Sequence, residues 1–387
     1  MVTVLDPRAI LNRLVAFPTV SRDSNLDLVD WVEDYLGSHG IKAHRHWNTE
    51  RTKAALFAHV GPMVAGGVVL SGHTDVVPVD GQDWTRDPWC VVEERGLLYG
   101  RGTCDMKGFD ALAIWAMVEA QRVGVTQPLQ IALSYDEEVG CTGAPPMIAA
   151  MGRVLPKAAS VVVGEPSMMK MVSGHKGGSG FQVHVRGHEV HSSIMHTGVN
   201  AIMTGARLID WANRMNTENA QAVPSALAAR FVPPWTTVHV GVISGGTAEN
   251  ITAKDCNFGL GFRVVPGEDP EAWVALFLAQ VAALDAEIKG IHHDAGITAT
   301  RYFDVPPLRP EVEGTAEALV RRLTGDNDRS VVSYGTEGGQ FQDAGYSVVV
   351  CGPGDIAQAH QPDEYLAVAQ FEAGHAFMRR LIKDLQA

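Results

Sequence analysis

The feature that most constrains the fold is a recurring pattern in which an apolar, β-branched run is followed by an imidazole or a carboxylate. The pattern occurs in the segments Gly67–Asp75, Leu129–Glu138, Ser160–Glu165 and Tyr346–His360. Continuous apolar strands separated by helices are typical of a parallel sheet that is covered on both faces. Such sheets bind ligands just outside the carboxyl ends of their strands. We therefore expect an α/β fold with a mostly parallel sheet and a site at one sheet edge.

Two amphipathic helices are predicted near the start of the chain, at roughly residues 7–16 and 26–39. In the second, Leu28, Val32 and Leu36 fall at helical spacing. Asn25 stands directly before this helix, where an N-cap residue is expected.

Five side chains in or near the recurring pattern have the chemistry of metal ligands. They are His73, Asp105, Glu138, Glu165 and His360. One catalytic zinc ion usually takes three protein ligands and a water molecule. Two imidazoles and three carboxylates therefore indicate two ions that share a bridging carboxylate. A set of nitrogen and oxygen donors without thiolate suits Zn²⁺, with Co²⁺ or Mn²⁺ as replacements.

Each candidate ligand also has a structural explanation. A buried imidazole such as His73 is often paired with a carboxylate, and Asp105 precedes an apolar helix that it could cap. The acidic run 136–138 could be a solvated surface segment. At a strand end inside a cleft, however, three like charges repel one another unless a cation neutralises them. This argument favours a metal centre over three separate structural roles.

Charge and cysteine content narrow the class of protein. Lys and Arg number 31 and Asp and Glu number 44, so the net charge of 31 − 44 = −13 disfavours nucleic acid or an anionic membrane as partner. The five cysteines are widely spread and form no CxxC pair, which favours a reducing compartment. No run of signal-peptide type opens the sequence and no apolar run reaches membrane-spanning length, so we expect a cytoplasmic protein with a small-molecule substrate.

Five short motifs in this chain resemble the ligand motifs of the dinuclear zinc aminoacylase and carboxypeptidase (M20) family, in the same order. They are Gly72–Asp75, Gly100–Gly108, Asp136–Glu138, Gly164–Pro166 and Ala359–His360. The resemblance extends over about residues 7–385. The segments Tyr334–Gly339 and Cys351–Tyr365 resemble in particular the branch of the family that acts on acetylornithine.

The resemblance implies a role for each residue of the predicted centre. Asp105 would bridge the two zinc ions, with His73 and Glu165 on one ion and Glu138 and His360 on the other. Glu137 would be the general base, and Asp75 would orient His73. The family also implies a cis peptide bond between Asp105 and Met106.

The middle of the chain predicts a different module. Between residues 175 and 304 the order strand-helix-strand-strand-helix-strand suits a split-βαβ (ferredoxin-like) domain. It resembles the family's lid and dimerisation domain, so residues 1–174 and 305–387 would form the catalytic metal-binding domain of a homodimer. The resemblance implies that His191 steadies the oxyanion in a neighbouring protomer, and that Arg263 and Asn250 hold the substrate carboxylate. A solvated loop and a surface ion pair are the structural alternatives for His191 and Arg263.

The expected function is therefore metal-dependent hydrolysis of an N-acetyl amino acid. N2-acetyl-L-ornithine, converted to L-ornithine and acetate in arginine biosynthesis, is the favoured substrate, and Glu337 is the candidate partner of its distal ammonium group. Deacylation of acetylcitrulline or succinyl-diaminopimelate and cleavage of a dipeptide are the enzymatic alternatives. A metal-dependent binding protein that kept the fold is the alternative outside enzymes.

Overall fold

The computed structural model describes residues 3–387, which form two compact units. The first unit consists of the described residues up to Gly174 together with Leu308–Val331 and Thr336–Ala387. The second unit consists of His175–Pro307 and Val332–Gly335. Each unit has its own cluster of buried hydrophobic residues.

Helices and strands are interspersed along the described chain. In chain order they are α1 (Pro7–Val15), α2 (Leu26–Ser38), β1 (Ala43–Trp47), β2 (Ala54–Val60), β3 (Val68–His73), β4 (Val92–Glu94), β5 (Leu97–Tyr99), α3 (Lys107–Val123), β6 (Leu129–Ser134), α4 (Ala144–Val154), β7 (Ser160–Pro166), β8 (Val172–His175), β9 (Gly177–Arg186), α5 (Ala201–Gln221), β10 (Thr237–Gly245), β11 (Asp255–Val264), α6 (Pro270–Ile291), β12 (Gly296–Val305), α7 (Thr315–Thr324), β13 (Ser330–Val332), α8 (Gly338–Asp343), β14 (Ser347–Gly352), β15 (Tyr365–Ala367) and α9 (Val368–Leu385). Among the described residues, no helix combines the length and the apolar character that crossing a membrane requires.

The first unit is built on an eight-stranded sheet with the strand order β1-β2-β6-β3-β7-β14-β8-β13. Its four central strands, β6, β3, β7 and β14, pair in parallel, and antiparallel pairs flank them. Residues of β3, β6 and β7 are buried along the whole length of each strand. Because a strand buried on both faces needs no polar face, these strands read as continuous apolar runs. The predicted α/β class with a parallel central sheet is confirmed.

The two helices predicted near the start of the chain are present, but the predicted capping role of Asn25 is wrong. Its side chain makes no cap hydrogen bond to α2. The Asn25 amide instead accepts a hydrogen bond from the Ala54 backbone N–H at 3.0 Å and donates to the Ala54 carbonyl and the Thr74 hydroxyl, each at 2.9 Å. The residue therefore ties the start of α2 to β2 and to the segment that follows His73.

The second unit has the predicted order β9-α5-β10-β11-α6-β12. Its four strands form an antiparallel sheet in the order β10-β11-β9-β12. One face of each helix is buried in the core of this unit, through residues such as Leu208 of α5 and Phe277 of α6. This arrangement is that of a split-βαβ module.

Candidate functional site

Four of the five predicted ligands lie at or beyond the carboxyl ends of the four parallel strands. His73 is the last residue of β3, and Glu165 lies in the final part of β7. Glu138 follows the end of β6, and His360 lies in the loop after β14. Because parallel strands place their carboxyl ends at one edge of a sheet, residues far apart in sequence meet there.

The fifth predicted ligand, Asp105, comes from the loop that precedes α3. Asp105 is 5 % exposed and lies just before the start of the helix at Lys107. The peptide bond between Asp105 and Met106 is cis, as the family resemblance implies. Asp105 therefore reaches the strand ends from the helix side of the site.

The carboxylate of Asp105 lies between two imidazole rings. His73 Nε2 is 3.1 Å from Asp105 Oδ1, and His360 Nε2 is 3.2 Å from Asp105 Oδ2. Glu165 Oε1 lies 3.6 Å from His73 Nε2, and Glu138 Oε2 lies 3.0 Å from His360 Nε2. The structure thus brings all five predicted ligands together as two groups that share Asp105.

Asp75 holds the first imidazole and the acidic loop at the same time. His73 Nδ1 lies 2.9 Å from the Asp75 carbonyl oxygen and 3.6 Å from the Asp75 carboxylate. That carboxylate accepts hydrogen bonds from the Ser21 hydroxyl at 2.7 Å and from the backbone N–H of Glu137 at 3.1 Å. Although burial alone raises the pKa of Asp75, the nearby His73 imidazole and the hydrogen bond from the Ser21 hydroxyl hold that pKa below the usual value. Asp75 therefore contacts both the His73 ring and the backbone of the acidic run.

Burial and mutual repulsion shift the pKa values of the acidic groups in the site. Burial and the nearby Asp105 carboxylate raise the pKa of Glu138 to about 7, and burial together with Glu138 raises the pKa of Glu137 to about 8. Hydrogen bonds with Asp105 and Glu138 raise the pKa of His360 to about 10. Imidazole nitrogens and carboxylate oxygens are the donors that Zn²⁺ and similar ions take, so these residues fit a pair of divalent cations.

Glu137 differs from its neighbour Glu138 in its contacts. The Glu137 side chain is partly exposed, and one carboxylate oxygen accepts a hydrogen bond from the Cys141 thiol at 3.1 Å. Its ligand atom also lies within 4.8 Å of those of His73 and Glu165. Asp136, the first acid of the run, forms an ion pair with Lys53 instead. The three acids therefore have three different environments, which the acidic triplet alone does not reveal.

The structure contradicts the substrate-binding role predicted for Glu337. This residue is 1 % exposed, and its two carboxylate oxygens accept hydrogen bonds from the hydroxyls of Ser71 and Ser134. Ser71 lies in β3, and Ser134 ends β6. A carboxylate enclosed in this way supports the two strand ends and is not available to a substrate ammonium group.

The predicted oxyanion residue His191 and the predicted substrate residues Asn250 and Arg263 belong to the second unit. His191 is exposed, and its Nδ1 lies 2.8 Å from the Ser193 hydroxyl oxygen. Its segment pairs with Ile251, so His191 and Asn250 lie on neighbouring pieces of backbone. Arg263, on β11, lines a separate cleft of 990 Å³. The cleft walls also include Trp235, Tyr302 and Phe303.

Two buried charged residues near Asp105 were missed by the sequence reasoning. Arg101 and Glu364 form an ion pair at 2.7 Å, with side chains that are 0 % and 1 % exposed. Arg101 lies inside the glycine-rich motif 100–108, and Glu364 follows His360 in the motif that ends at Tyr365. Their location within two of the recognised motifs is the signal that could have identified them.

Comparisons with known proteins agree with this geometry. The family model described as "Peptidase family M20/M25/M40" matches residues 69–384. An acetylornithine deacetylase of Myxococcus xanthus is 34 % identical over 97 % of this chain and 96 % of its own length. An acetylornithine deacetylase of Proteus mirabilis is 31 % identical over 97 % of this chain and 95 % of its own length. The crystal structure of an M20 family metallo-carboxypeptidase, Sso-CP2 from Sulfolobus solfataricus, covers 98 % of this chain and 99 % of its own, with a TM-score of 0.79 at 17 % identity. The chain is therefore a member of peptidase family M20/M25/M40.

Proposed function

We propose that this chain is a hydrolase that removes the acetyl group from N2-acetyl-L-ornithine, giving L-ornithine and acetate. The observation that carries the proposal is the meeting of His73, Asp105 and His360, with their partner carboxylates, at one edge of the parallel sheet. The two acetylornithine deacetylases that match nearly the whole chain support the choice of substrate. The first unit is then the catalytic domain.

The centre would hold two zinc ions, for which Co²⁺ or Mn²⁺ are replacements. His73 and Glu165 would hold one ion, Glu138 and His360 would hold the other, and Asp105 would serve both; the two groups of side chains that share Asp105 support this assignment. When bound, such ions make water more acidic and polarise a substrate carbonyl.

Glu137 moves the proton in this mechanism. It takes a proton from the attacking water and delivers it to the nitrogen of the leaving amine, so that the amide C–N bond breaks and acetate and a free amine form. Two features of Glu137 suit this role: its carboxylate lies beside the predicted ligands, and it does not share their ion pairs with His360. Asp75 keeps His73 in the orientation that binding requires.

The second unit completes the proposed enzyme. His191 stabilises the oxyanion of the reacting carbonyl in a partner protomer, and Arg263 and Asn250 bind the substrate carboxylate. A guanidinium group suits the last task because its planar fork can donate two hydrogen bonds to one carboxylate. The exposed positions of His191 and Asn250 leave both side chains accessible to another molecule.

A homodimer through the second unit is part of this proposal. β10 is an edge strand of the antiparallel sheet, and its Val242 is 74 % exposed. The adjacent helix α5 exposes Met203 by 57 %. Exposed apolar side chains beside an unpaired strand edge favour pairing with a second copy of the chain.

Acetylcitrulline is the second candidate substrate, and the environment of Glu337 favours it. The carboxylate of Glu337 is occupied by two serine hydroxyls, so it offers no counter-charge to the ammonium group of ornithine. A neutral citrulline side chain needs no such partner. Initial rates on acetylornithine, acetylcitrulline, succinyl-diaminopimelate and a dipeptide decide among the candidates, and faster turnover of any of the other three contradicts acetylornithine.

Replacement of Glu137 tests the mechanism directly. We expect Glu137→Gln to lower kcat on acetylornithine by about 10²- to 10⁴-fold, because proton transfer by a positioned group contributes about that much. Glu317→Gln is the matched control, since Glu317 is a buried carboxylate of α7 that pairs with Arg321 and Arg329. An undiminished rate in Glu137→Gln would show that another group is the base.

A further inference from the structure

Glu364 is a buried anion that the proposed chemistry does not use. Its side chain is 1 % exposed and forms an ion pair with the fully buried Arg101 at 2.7 Å. Taking two charges out of water is unfavourable unless good geometry and further hydrogen bonds compensate for the lost hydration. The remaining contacts of this pair therefore show what the buried charges hold in place.

The Glu364 carboxylate binds the backbone of the loop that carries Asp105. One oxygen, Oε1, accepts hydrogen bonds from the N–H groups of Cys104 at 2.9 Å and Asp105 at 3.0 Å. The other, Oε2, accepts from the Gly102 N–H at 3.0 Å as well as from Arg101. Glu364 thus satisfies backbone donors in a loop that has no strand partner, and one of these donors belongs to Asp105 itself.

Arg101 extends the same network to the loop that carries His360. Its guanidinium group donates to the Gln82 side-chain oxygen and lies over the Trp84 ring, 5.0 Å from the ring centre. The Gln82 amide then donates to the His360 carbonyl oxygen at 2.9 Å. A continuous chain of contacts therefore joins the Asp105 backbone to the His360 backbone through Glu364, Arg101 and Gln82.

We propose that Glu364 and Arg101 are a positioning pair that fixes the Asp105 carboxylate against the His360 imidazole, and so sets the affinity of the metal position shared by these two residues. This inference rests on the proposed metal centre. Glu364 contacts the backbone N–H of Asp105 and not its carboxylate. The pair acts by fixing the positions of the two loops that carry Asp105 and His360. The distance of 3.2 Å between His360 Nε2 and Asp105 Oδ2 depends on the backbone position of both residues.

A purely structural ion pair is the alternative explanation. It predicts that variants of the pair unfold more easily but bind metal as tightly as the wild type while they remain folded. A positioning role predicts weaker metal binding in the folded protein, because partners that orient ligands typically contribute about 10- to 100-fold to metal affinity. Metal affinity measured well below the melting temperature separates the two explanations.

The experiment is a competition between the full-length protein and a chelator for Zn²⁺, with Co²⁺ absorption spectra as a second readout. We expect Glu364→Gln to weaken binding of one of the two ions by about 10- to 100-fold. The Gln side chain keeps the shape of Glu but turns a donor toward Gly102 N–H and Arg101, which are themselves donors. Glu317→Gln, which breaks a buried carboxylate pair on α7, is the control and should bind both ions normally.

Gln82→Ala decides the question if Glu364→Gln does not fold. It cuts the link to the His360 carbonyl and leaves the buried ion pair intact, so we expect weaker binding of one ion without loss of the fold. If each of these two variants that folds binds metal as tightly as the wild type, the positioning role is wrong. The proposed function still stands in that case, provided that the wild type binds two ions. A wild type that binds no metal overturns the proposed function and this inference together.

Discussion

The substitution Gly164→Ala tests whether the strand ends are packed as tightly as the structure indicates. A Cβ atom at Gly164 would lie 2.0 Å from the Phe109 ring, whereas carbon atoms in normal contact are about 3.5–4.0 Å apart. Phe109 is 1 % exposed and lies in the main core of the first unit, so the ring has little room to move away. The strand or the ring must therefore shift by about 1.5–2 Å.

Overpacking of this kind lowers the free energy of unfolding by about 1–3 kcal/mol. With a urea dependence of about 3 kcal/mol per molar, a loss of 2 kcal/mol lowers the unfolding midpoint by about 0.7 M. Because Glu165 follows Gly164 directly and lies 3.6 Å from His73, we also expect weaker metal binding. The measurement is a urea titration followed by tryptophan fluorescence.

Gly152→Ala is the matched control for this prediction. Gly152 is exposed in α4, and a Cβ atom there has no neighbour within 4 Å. Alanine should stabilise this helix by about 0.5–1 kcal/mol, because glycine loses more conformational freedom when it becomes helical. If Gly164→Ala unfolds at the same urea concentration as the wild type, the packing argument for the strand ends is wrong.

Three further predictions follow from individual contacts. Cys141→Ala should lower kcat by about 2- to 10-fold and Cys141→Ser much less, because a hydroxyl still donates to Glu137; steady-state kinetics at saturating substrate check this. Burial lowers the pKa of His175 to about 4, below its unfolded value of about 6.5. The free energy of unfolding of the wild type therefore falls as the pH falls from 6.5 to 4. His175→Leu should reduce that loss by up to about 3 kcal/mol, measured by urea titrations across this pH range. Val242→Asp should convert the proposed homodimer to monomers in sedimentation velocity runs, and an unchanged mass would place the interface elsewhere.

The sequence was sufficient to predict which residues meet at the centre, because the reason is topological. Parallel strands place their carboxyl ends together, so an imidazole or a carboxylate after each apolar run is enough to bring His73, Glu138, Glu165 and His360 to one edge. The order of elements in the second unit was also predictable, since its strands and helices have clear periodicity and turn boundaries.

Side chains whose partners come from distant segments could not be predicted in this way. Asn25 has the sequence context of an N-cap, yet its amide pairs with both backbone groups of Ala54 on β2. Glu337 lies in a family motif, yet serines from the strands β3 and β6 enclose its carboxylate. In both cases the alternative partner lies far along the chain, where local spacing carries no information.

Glu364 shows the same limit for a residue close to the centre. Glu364 follows Pro362 and Asp363 in a polar segment, and glutamate side chains in such segments are usually exposed to solvent. Its burial becomes evident only when four donors, three backbone N–H groups and Arg101, are found around its carboxylate. The backbone N–H groups of this loop have no strand partner and need hydrogen-bond acceptors, which explains why a carboxylate is buried beside them.

The most direct test of the central claim is a calorimetric titration of Zn²⁺ into chelator-treated protein, coupled to an assay on acetylornithine. The account predicts two ions per chain in the wild type, recovery of hydrolysis as they bind, and loss of both effects in Asp105→Asn, because Asp105 lies within 3.2 Å of both imidazoles. Full activity of the chelator-treated protein, or unchanged zinc binding in Asp105→Asn, would contradict it.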